Sequence, residues 1–530
     1  MTTASQFVRH MLTGGWATDL GPTTDVAPDQ SGKIAVPFLL EAENLVFTLD
    51  GGIRKSPGTT KLNSSVMESG GTVKGIFDWW QIGTAGSPTQ HRVVHCDTKI
   101  LRDNGDATFT SLFTGMTADA VPSYAVLEDL LVMANDSSSD VPKSWDGTTA
   151  QNLAGTPPNF SFVTQHKNRL FAAGVPAAPS RLYYSALQNG ADWVGSGSGE
   201  IDVAPDDGDI ITGVWSWKDQ LLIFKGPYKG SIHRLSGSSP TGADSFSLSG
   251  WIKGTSAVWQ STIFNYRDDL GFVSPDGMVR SLNVTAQYGD FREASLSFPI
   301  DVEFIQRRVN FSRLRHAWAV NDRANGAVLI TVPIDGSTTN NFVMVMDYRF
   351  DPPRWSNFIR SAACLAEVVD PAQNNRRIVM AGGYDGYVRK YGAPTRSIDG
   401  ATAIAMKATY PFLNYGVPQY KKTFLGGSLA LAPKNNADIT LGWQCDTNSQ
   451  QTQAIAQAGG DVLGTATANE FTLNTSTLGG ASFIESFFQA EEGGEFRAIQ
   501  FQVLDSTNSS DVELHALTAK IDGGADDAEN

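Results

Sequence analysis

ITGVWSWKDQLLIFKGPYKGSIHRL, residues 211–235, holds three short runs separated by turn residues. Residues 212–217 and 220–225 are rich in β-branched, aromatic and aliphatic side chains and are joined by the polar pair Lys218-Asp219. Gly226-Pro227-Tyr228-Lys229-Gly230 then leads into a third run at 231–235. Runs of this length, bounded in this way, predict consecutive strands of an antiparallel meander. A single meander leaves one sheet face wet and is marginally stable by itself. The fold therefore turns on whether the chain repeats it.

It does, from residue 72 onward. Phe77-Asp78-Trp79-Trp80, residues 92–96 and residues 99–102 form a first copy with a turn at Asp97-Thr98. The second is 124–126, a corner at Glu128-Asp129, 130–134 and 144–147; the third is 162–165, a corner at Lys167-Asn168, 169–173 and 181–185. The quoted stretch is the fourth. A fifth copy has 263–266, a corner at Asp268-Asp269, 270–273 and 278–282. The sixth takes 317–320, 327–332 and 342–348 and ends at Pro353-Arg354-Trp355; the seventh takes 365–369, 377–381 and 387–391. Each copy is strand, polar corner, apolar strand, turn, strand, near the roughly 40–50-residue repeat of propeller blades.

All-strand repeats of that length favour a β-propeller, because blades stacked about an axis bury faces that one sheet leaves open. The apolar runs 221–224 and 130–133 are expected to be buried on both faces. Serial β-sandwiches are the alternative. The first and fifth copies are irregular, so the expectation is an all-β chain with a propeller of six or seven irregular blades at 71–392. Residues 1–70 read as an N-terminal arm with a hairpin, where 45–49 and 53–55 flank Asp50-Gly51-Gly52. Residues 393–403 read as a linker. A β-sandwich-like domain follows at 404–522, with strands at 404–410, 422–431, 437–445, 470–473, 496–504 and 512–521 and a long loop at 449–467. Residues 523–530 read as an acidic tail without fixed structure.

Composition agrees with an all-β chain: 530 residues include 52 Gly and 24 Pro, and helical patterns are almost missing. The net charge of −15 opposes a gripping nucleic-acid role, since the surface repels a polyanion. It is compatible with a passive conduit, and equally with acidity that serves solubility alone. Cys96, Cys364 and Cys445 are far apart and odd in number, which predicts no disulfide framework and a reducing compartment. Residues 1–15 lack the apolar core of a signal peptide, and no segment has the apolar length of a membrane span. The expectation is a soluble protein made in a cytoplasm.

Candidate chemistry is sparse. His91, His95 and Cys96 have a suggestive spacing, but in a strand the two histidines share a face while Cys96 points away, and a fourth ligand is missing. The carboxylate groups Asp206-Asp207-Asp209, Asp268-Asp269 and Glu491-Glu492 fall in turns, where solvated corners are expected in preference to acid–base pairs. Ser274-Pro275-Asp276-Gly277 partly matches the Asp-box turn of sialidase-type propellers but lacks its following Thr and Trp. Gly195 to Gly199 is not a phosphate loop. Trp79, Trp80, Trp215, Trp217, Trp251, Trp259, Trp318 and Trp355 could line a sugar site, although Trp215-x-Trp217 alternation suits packing between blades. No catalytic, cofactor-binding or metal residue is assigned, no cofactor is expected, and the chain is read as no enzyme.

The layout resembles a known family. Gly14-Gly15, Glu43-Asn44 and Gly52-Ile53-Arg54-Lys55-Ser56-Pro57-Gly58 are similar to the opening of short-tailed bacteriophage tail nozzle proteins, also called tail tubular protein B or the tail hub (stabilisation) protein. Ser56 stands where a basic residue is common. The likeness continues through Lys167-Asn168-Arg169-Leu170-Phe171, Arg181-Leu182-Tyr183-Tyr184-Ser185 and 221–225, and ends at Arg497-Ala498-Ile499-Gln500-Phe501. Each motif is short, and the match rests on their order. The resemblance implies a structural virion protein of the tail, made in a host bacterial cytoplasm. Its implied partners are copies of itself in a hexameric ring, a head–tail adaptor, and tail fibre or needle proteins. Genomic DNA would pass through on ejection without specific binding. Ring contacts would be heterologous and close by rotation. A propeller receptor-binding or glycan-adhesion protein of a virion is the alternative.

Overall fold

The computed structural model describes residues 6–82, 86, 88–288, 295–432, 439–455, 484–490, 494–507 and 511–523. The chain forms two compact units, one of Lys61–Met344 with Arg360–Tyr391 and one of Met1–Thr60, Val345–Ile359 and Gly392–Asn530.

The first unit is a β-propeller. The quoted stretch forms Ile210–Trp217, Gln220–Gly226 and Ser231–Ser236, paired antiparallel in that order. Trp217 pairs with Gln220, so Lys218-Asp219 is a two-residue hairpin loop. Leu221, Leu222, Ile223 and Phe224 are fully buried, as a strand covered on both faces must be. Gly230 closes the following turn at φ +69°, with Thr255 backbone 2.9 Å from where a Cβ would sit, so only glycine fits there. A fourth, mostly exposed strand, Ser247–Lys253, lines the outer edge.

The same plan recurs. Val73–Ile82 to Phe109–Phe113 form the first four-stranded blade, Pro122–Leu127 to Ala150–Asn152 the second, and Phe162–His166 to Gly199–Asp202 the third. Ile263–Tyr266, Asp269–Val273 and Val279–Ser281 form a three-stranded fifth. Its corner is Arg267-Asp268, one residue earlier than expected, because Tyr266 pairs with Asp269. Cys364–Asp370, Arg376–Gly382 and Val388–Ala393 make the closing blade. These blades belong to six small sheets. The sixth expected copy is not a small sheet of its own. Trp318–Asp322 and Ala327–Val332 belong to a larger sheet, yet Trp318–Asp322 still takes a place at the axis between the fifth and closing blades.

Blades stack through apolar faces. Trp79, Val93 and Ile100 of the first meet Leu131, Met133 and Trp145 of the second, and Leu222 and Phe224 of the fourth meet Ile263, Leu270 and Phe272 of the fifth. Val73, Ile76 and Val94 meet Cys364, Val368 and Met380, which shuts the ring. Residues 62–67 seal it: Leu62 N–H donates to Val388 O (2.8 Å), Met67 N–H to Gly386 O (3.1 Å), and Asn63 bonds both partners through its side chain.

The second unit contains two packed sheets. One runs Lys33–Val36, Gln6–Leu12, Glu513–Gly523, Lys422–Leu431 and Ile484–Gln489. The other includes Phe412–Leu413, Ile499–Asp505, Met406–Thr409, Glu41–Glu43 and Arg354–Phe358, with Ile439–Cys445 also on Ile499–Asp505. Phe424 of the first sheet contacts Trp443 (5.6 Å) and Phe501 (5.4 Å) of the second. The segment read as an arm is thus built into the sandwich-like unit, since Gln6–Leu12 pairs with both Lys33–Val36 and Glu513–Gly523. Residues 345–359, which take in the end of the sixth repeat at Pro353-Arg354-Trp355, fold with this unit too. The stretch 393–403 carries two very short paired strands, Ser397–Ile398 and Thr402–Ala403. The expected strand at 470–473, most of the 449–467 loop and residues 524–530 lie outside the described residues.

Candidate functional site at the propeller axis

The inner strands of the propeller meet in sequence: Val73–Ile82, Pro122–Leu127, Phe162–His166 and Ile210–Trp217, then Ile263–Tyr266, Trp318–Asp322, Cys364–Asp370 and back to Val73–Ile82. The turn Gln260–Thr262 bridges Ile210–Trp217 and Trp318–Asp322. Between them lies a cavity of about 220 Å³. Its walls are dominated by Phe77, Tyr124, Phe162, Trp215 and Trp318, one aromatic from each of five inner strands, with Trp259 from the residue before the Gln260–Thr262 turn. Phe77 and Tyr124 stack (5.2 Å, 18°), and Phe162 meets Trp259 edge-on (4.9 Å, 69°).

Polar atoms in the lining are spent on the protein itself. Ser123 Oγ accepts from Val163 N–H (3.1 Å) and from Gln260 Nε2 (3.1 Å) and donates to Val163 O (3.3 Å). Gln260 Nε2 also donates to Val163 O (3.2 Å), and its Oε1 accepts from Val214 N–H (3.2 Å). Ser261 Oγ donates to Ala317 O (2.7 Å). This network ties the second, third and fourth blades to the turn before the fifth. Tyr124 is partly exposed, yet its hydroxyl is buried against Gly75 without a hydrogen-bond partner. Burial pushes that phenol well above its ordinary range. Tyr124 therefore presents its ring, not its oxygen, to the cavity.

Charge collects beside the starts of three inner strands. Lys74 and Arg313 both pair with Asp119 (3.5 and 3.1 Å), and Arg315 lies 3.8 Å from Asp136. His316 is driven down to about 3 by burial and by the positive charges of Arg313, Arg315 and Lys74. Asp136 is raised, chiefly by burial.

The residues singled out by sequence are dispersed. His91 Nε2 contacts Gln81 Oε1 (3.0 Å) and its ring lies 4.9 Å from both Trp79 and Trp145. His95 is buried and held near 4 by that burial, and Cys96 donates to Gly71 O (3.4 Å). All three cysteines are buried and free. The acidic turn at 206–209 is the solvated corner expected only at Asp206, which is exposed. Asp207 pairs with the fully buried Lys225 (2.7 Å), which also donates to Val203 O and Ala204 O (2.7 Å each). Asp209 is 2% exposed and caps the Gly226–Gly230 turn by accepting from Tyr228, Lys229 and Gly230 N–H (2.7, 3.0 and 2.9 Å). Asp269 accepts from Ser281 Oγ and from Leu270 N–H (2.7 Å), while Asp268 is exposed. Glu491 and Glu492 lie outside the described residues.

Ser274, Asp276 and Arg280 close on one another: Arg280 donates to Ser274 Oγ (3.1 Å) and to Asp276 (2.8 Å). Arg169 donates to Ser185 O (2.8 Å) and Gly197 O (2.5 Å), so the Gly195–Gly199 stretch is fastened by the motif residue Arg169. Among the tryptophans, Trp79 packs between blades, Trp80 is 40% exposed, and Trp355 is buried in the sandwich-like unit. Trp215 and Trp217 both pack on the fourth–fifth blade cluster, as their alternation predicts, but Trp215 also lines the axial cavity. Trp217 stacks on Trp251 (6.4 Å, 26°). Gln260 and Ser123, the polar hub of the axis, carried no sequence signal.

The domain is a β-propeller. Its solved likenesses are propellers of varied kind. YCF48 bound to D1 peptide aligns with 64% of this chain and 97% of its own at 8% identity and a TM-score of 0.37. Raptor from Chaetomium thermophilum aligns with 64% of this chain and 29% of its own, at 13% identity and a TM-score of 0.37. A gluconolactonase from Xanthomonas campestris aligns with 70% of this chain and 99% of its own, at 12% identity and a TM-score of 0.30. No family model and no curated protein matches the chain.

Proposed function

We propose that the chain is a non-enzymatic structural subunit of a short-tailed bacteriophage tail, of the nozzle type, located in the virion. In this reading copies assemble into a hexameric ring below a head–tail adaptor, carry fibres or a needle, and let genomic DNA pass without binding it. The carrying observation is the order of the family-like motifs from Gly14-Gly15 to Phe501. The place of those motifs supports it. Lys55, from the hairpin motif, reaches Asp505, just beyond the last motif, in a fully buried ion pair (2.9 Å). Arg54, its neighbour, pairs with Asp511 (2.6 Å). These basic residues join the hairpin to segments more than 400 positions later in the chain, which gives the motif a use beyond that of an ordinary hairpin. The net charge of −15 suits a conduit from which DNA must slide freely.

Native mass spectrometry with electron microscopy tests the reading, on the protein alone and mixed with a head–tail adaptor. A closed ring in either sample is expected. A chain that stays monomeric in both and binds glycans would overturn it in favour of a virion adhesion protein. For that alternative, the partly exposed Trp217–Trp251 stack, flanked by Lys218 over Trp217 (4.3 Å) and Arg234 over Trp251 (5.7 Å), is the surface to mutate first.

A further inference from the structure

The axial cavity differs in its chemistry from a sugar or anion site. A sugar needs polar groups with free hydrogen-bonding capacity around it, because its hydroxyls lose water on entry. The lining serine and glutamine atoms Ser123 Oγ, Gln260 Nε2 and Oε1, and Ser261 Oγ already have protein partners. The buried Tyr124 hydroxyl is turned against Gly75. Among the described residues no ionisable side chain except the Tyr124 phenol lines the cavity; Asp78, next to Phe77, is paired with Arg92, and Lys74 and Arg313 are engaged with Asp119.

What the walls do offer is π-surface. Six aromatic rings, five from inner strands and one from the residue before the Gln260–Thr262 turn, face about 220 Å³. An apolar cavity of about 150 Å³ suffices to hold benzene, so this one has room for a fused bicyclic ring. Ala319 and Leu365 complete the apolar wall between the fifth and closing blades. Apolar pockets with few polar groups are the usual form of small-molecule sites.

We propose that the propeller axis is a binding site for a small uncharged planar aromatic molecule, held between the rings of Phe77, Tyr124, Phe162, Trp215, Trp259 and Trp318. The site is independent of the nozzle reading. It belongs to one propeller and needs no ring of subunits.

The test uses the full chain and 6-bromo-2-naphthol, whose bromine quenches nearby indoles. Saturable binding by calorimetry is expected, with loss of about a quarter of the tryptophan emission, since three of the chain's 12 tryptophans line the cavity. Ala319→Phe fills the space and should weaken binding at least tenfold. If that variant fails to fold, a Trp215→Phe, Trp259→Phe, Trp318→Phe triple variant decides the matter, because it should bind the naphthol more weakly and show no quench even at saturation. Methyl glucoside and naphthalene sulfonate serve as sugar and anion arms and are expected not to compete. Absence of saturable naphthol binding, quenching that survives in the triple variant, or displacement of the naphthol by methyl glucoside would each overturn the proposal.

Discussion

Asp511 shows how much a single carboxylate does for the sandwich-like unit. Burial alone would raise its pKa, but hydrogen bonds and charge from Arg54 and Arg396 (2.6 Å each) outweigh it and hold the group down at about 2. The native carboxyl thus stays ionised below the unfolded value of 3.8. As pH falls, the unfolded chain takes up this proton first, so the stabilisation is complete above about pH 5 and lost on the way to pH 2. The shift corresponds to about 2 kcal/mol. Asp511→Asn should therefore cost roughly that much at pH 7 by urea denaturation, and the gap to wild type should vanish near pH 2. A gap that persists at pH 2 would mean that packing, not charge, is responsible. Lys55 poses a harsher case, with both charges of the Lys55–Asp505 pair at 0% exposure. Lys55→Met leaves a carboxylate buried without its cation and should cost about 3–5 kcal/mol, whereas the Lys55→Met, Asp505→Leu double variant should recover most of it. Arg54 and Lys55 were visible in the sequence as a motif, but their partners were not, because those partners lie more than 400 positions away and a strand pattern carries no record of which carboxylate a lysine will meet.

At the scale of an element, the hairpin corners were the most legible feature of the chain. Glu128-Asp129 and Lys167-Asn168 all take positive φ (48°, 59°, 45° and 58°), the conformation that a two-residue loop demands so that its twist matches the strands. Polar residues flanked by two apolar runs are a local signal, and local signals survive in sequence. The fourth strands were illegible for the complementary reason. Ser247–Lys253 buries only Ile252, and Ala150–Asn152 buries nothing, so no apolar alternation marks them. Asp209 belongs to the same class of hidden detail. As one of three aspartates in an acidic turn it looks solvated, yet it satisfies three consecutive backbone N–H groups of the Gly226–Gly230 turn. Asp209→Ala would leave them without the carboxylate, with Gly230 N–H in a buried place, and at about 1–3 kcal/mol for an unmade bond to a charged group the fourth blade should be visibly weakened. Hydrogen exchange at Tyr228–Gly230 is the direct measurement. Unchanged protection there would show that solvent replaces the carboxylate at no cost.

For the propeller as a whole, the decisive question is what stops a ring of stacked sheets from opening. Every blade interface within the chain is held by the covalent order of its strands except one, where the first blade meets the last. Apolar contact between Val73, Ile76 and Val94 and Cys364, Val368 and Met380 supplies the area, and Asn63 supplies the register. Its Nδ2 donates to Gly386 O (2.9 Å) and Ser65 O (2.7 Å), and its Oδ1 accepts from Val388 N–H (2.9 Å), in a site only 3% exposed. One side chain thereby copies a stretch of strand ladder between segments some 320 residues apart. Asparagine can do this because its amide carries the donor and acceptor geometry of a peptide group. Asn63→Ala removes the clasp and leaves Val388 N–H to find water in a buried seam, at a cost of about 1–3 kcal/mol, while Gly386 O keeps its bond from Met67 N–H. Asn63→Asp keeps an acceptor for Val388 N–H and turns a carboxylate toward two carbonyls, so it should fare no better. Because the loss falls at the seam, it should raise hydrogen exchange in Arg376–Gly382 and Val388–Tyr391 and leave Gln220–Gly226, on the fourth blade, at its wild-type rate. Uniformly faster exchange across both blades would place the effect in global stability and refute a local closing role for Asn63.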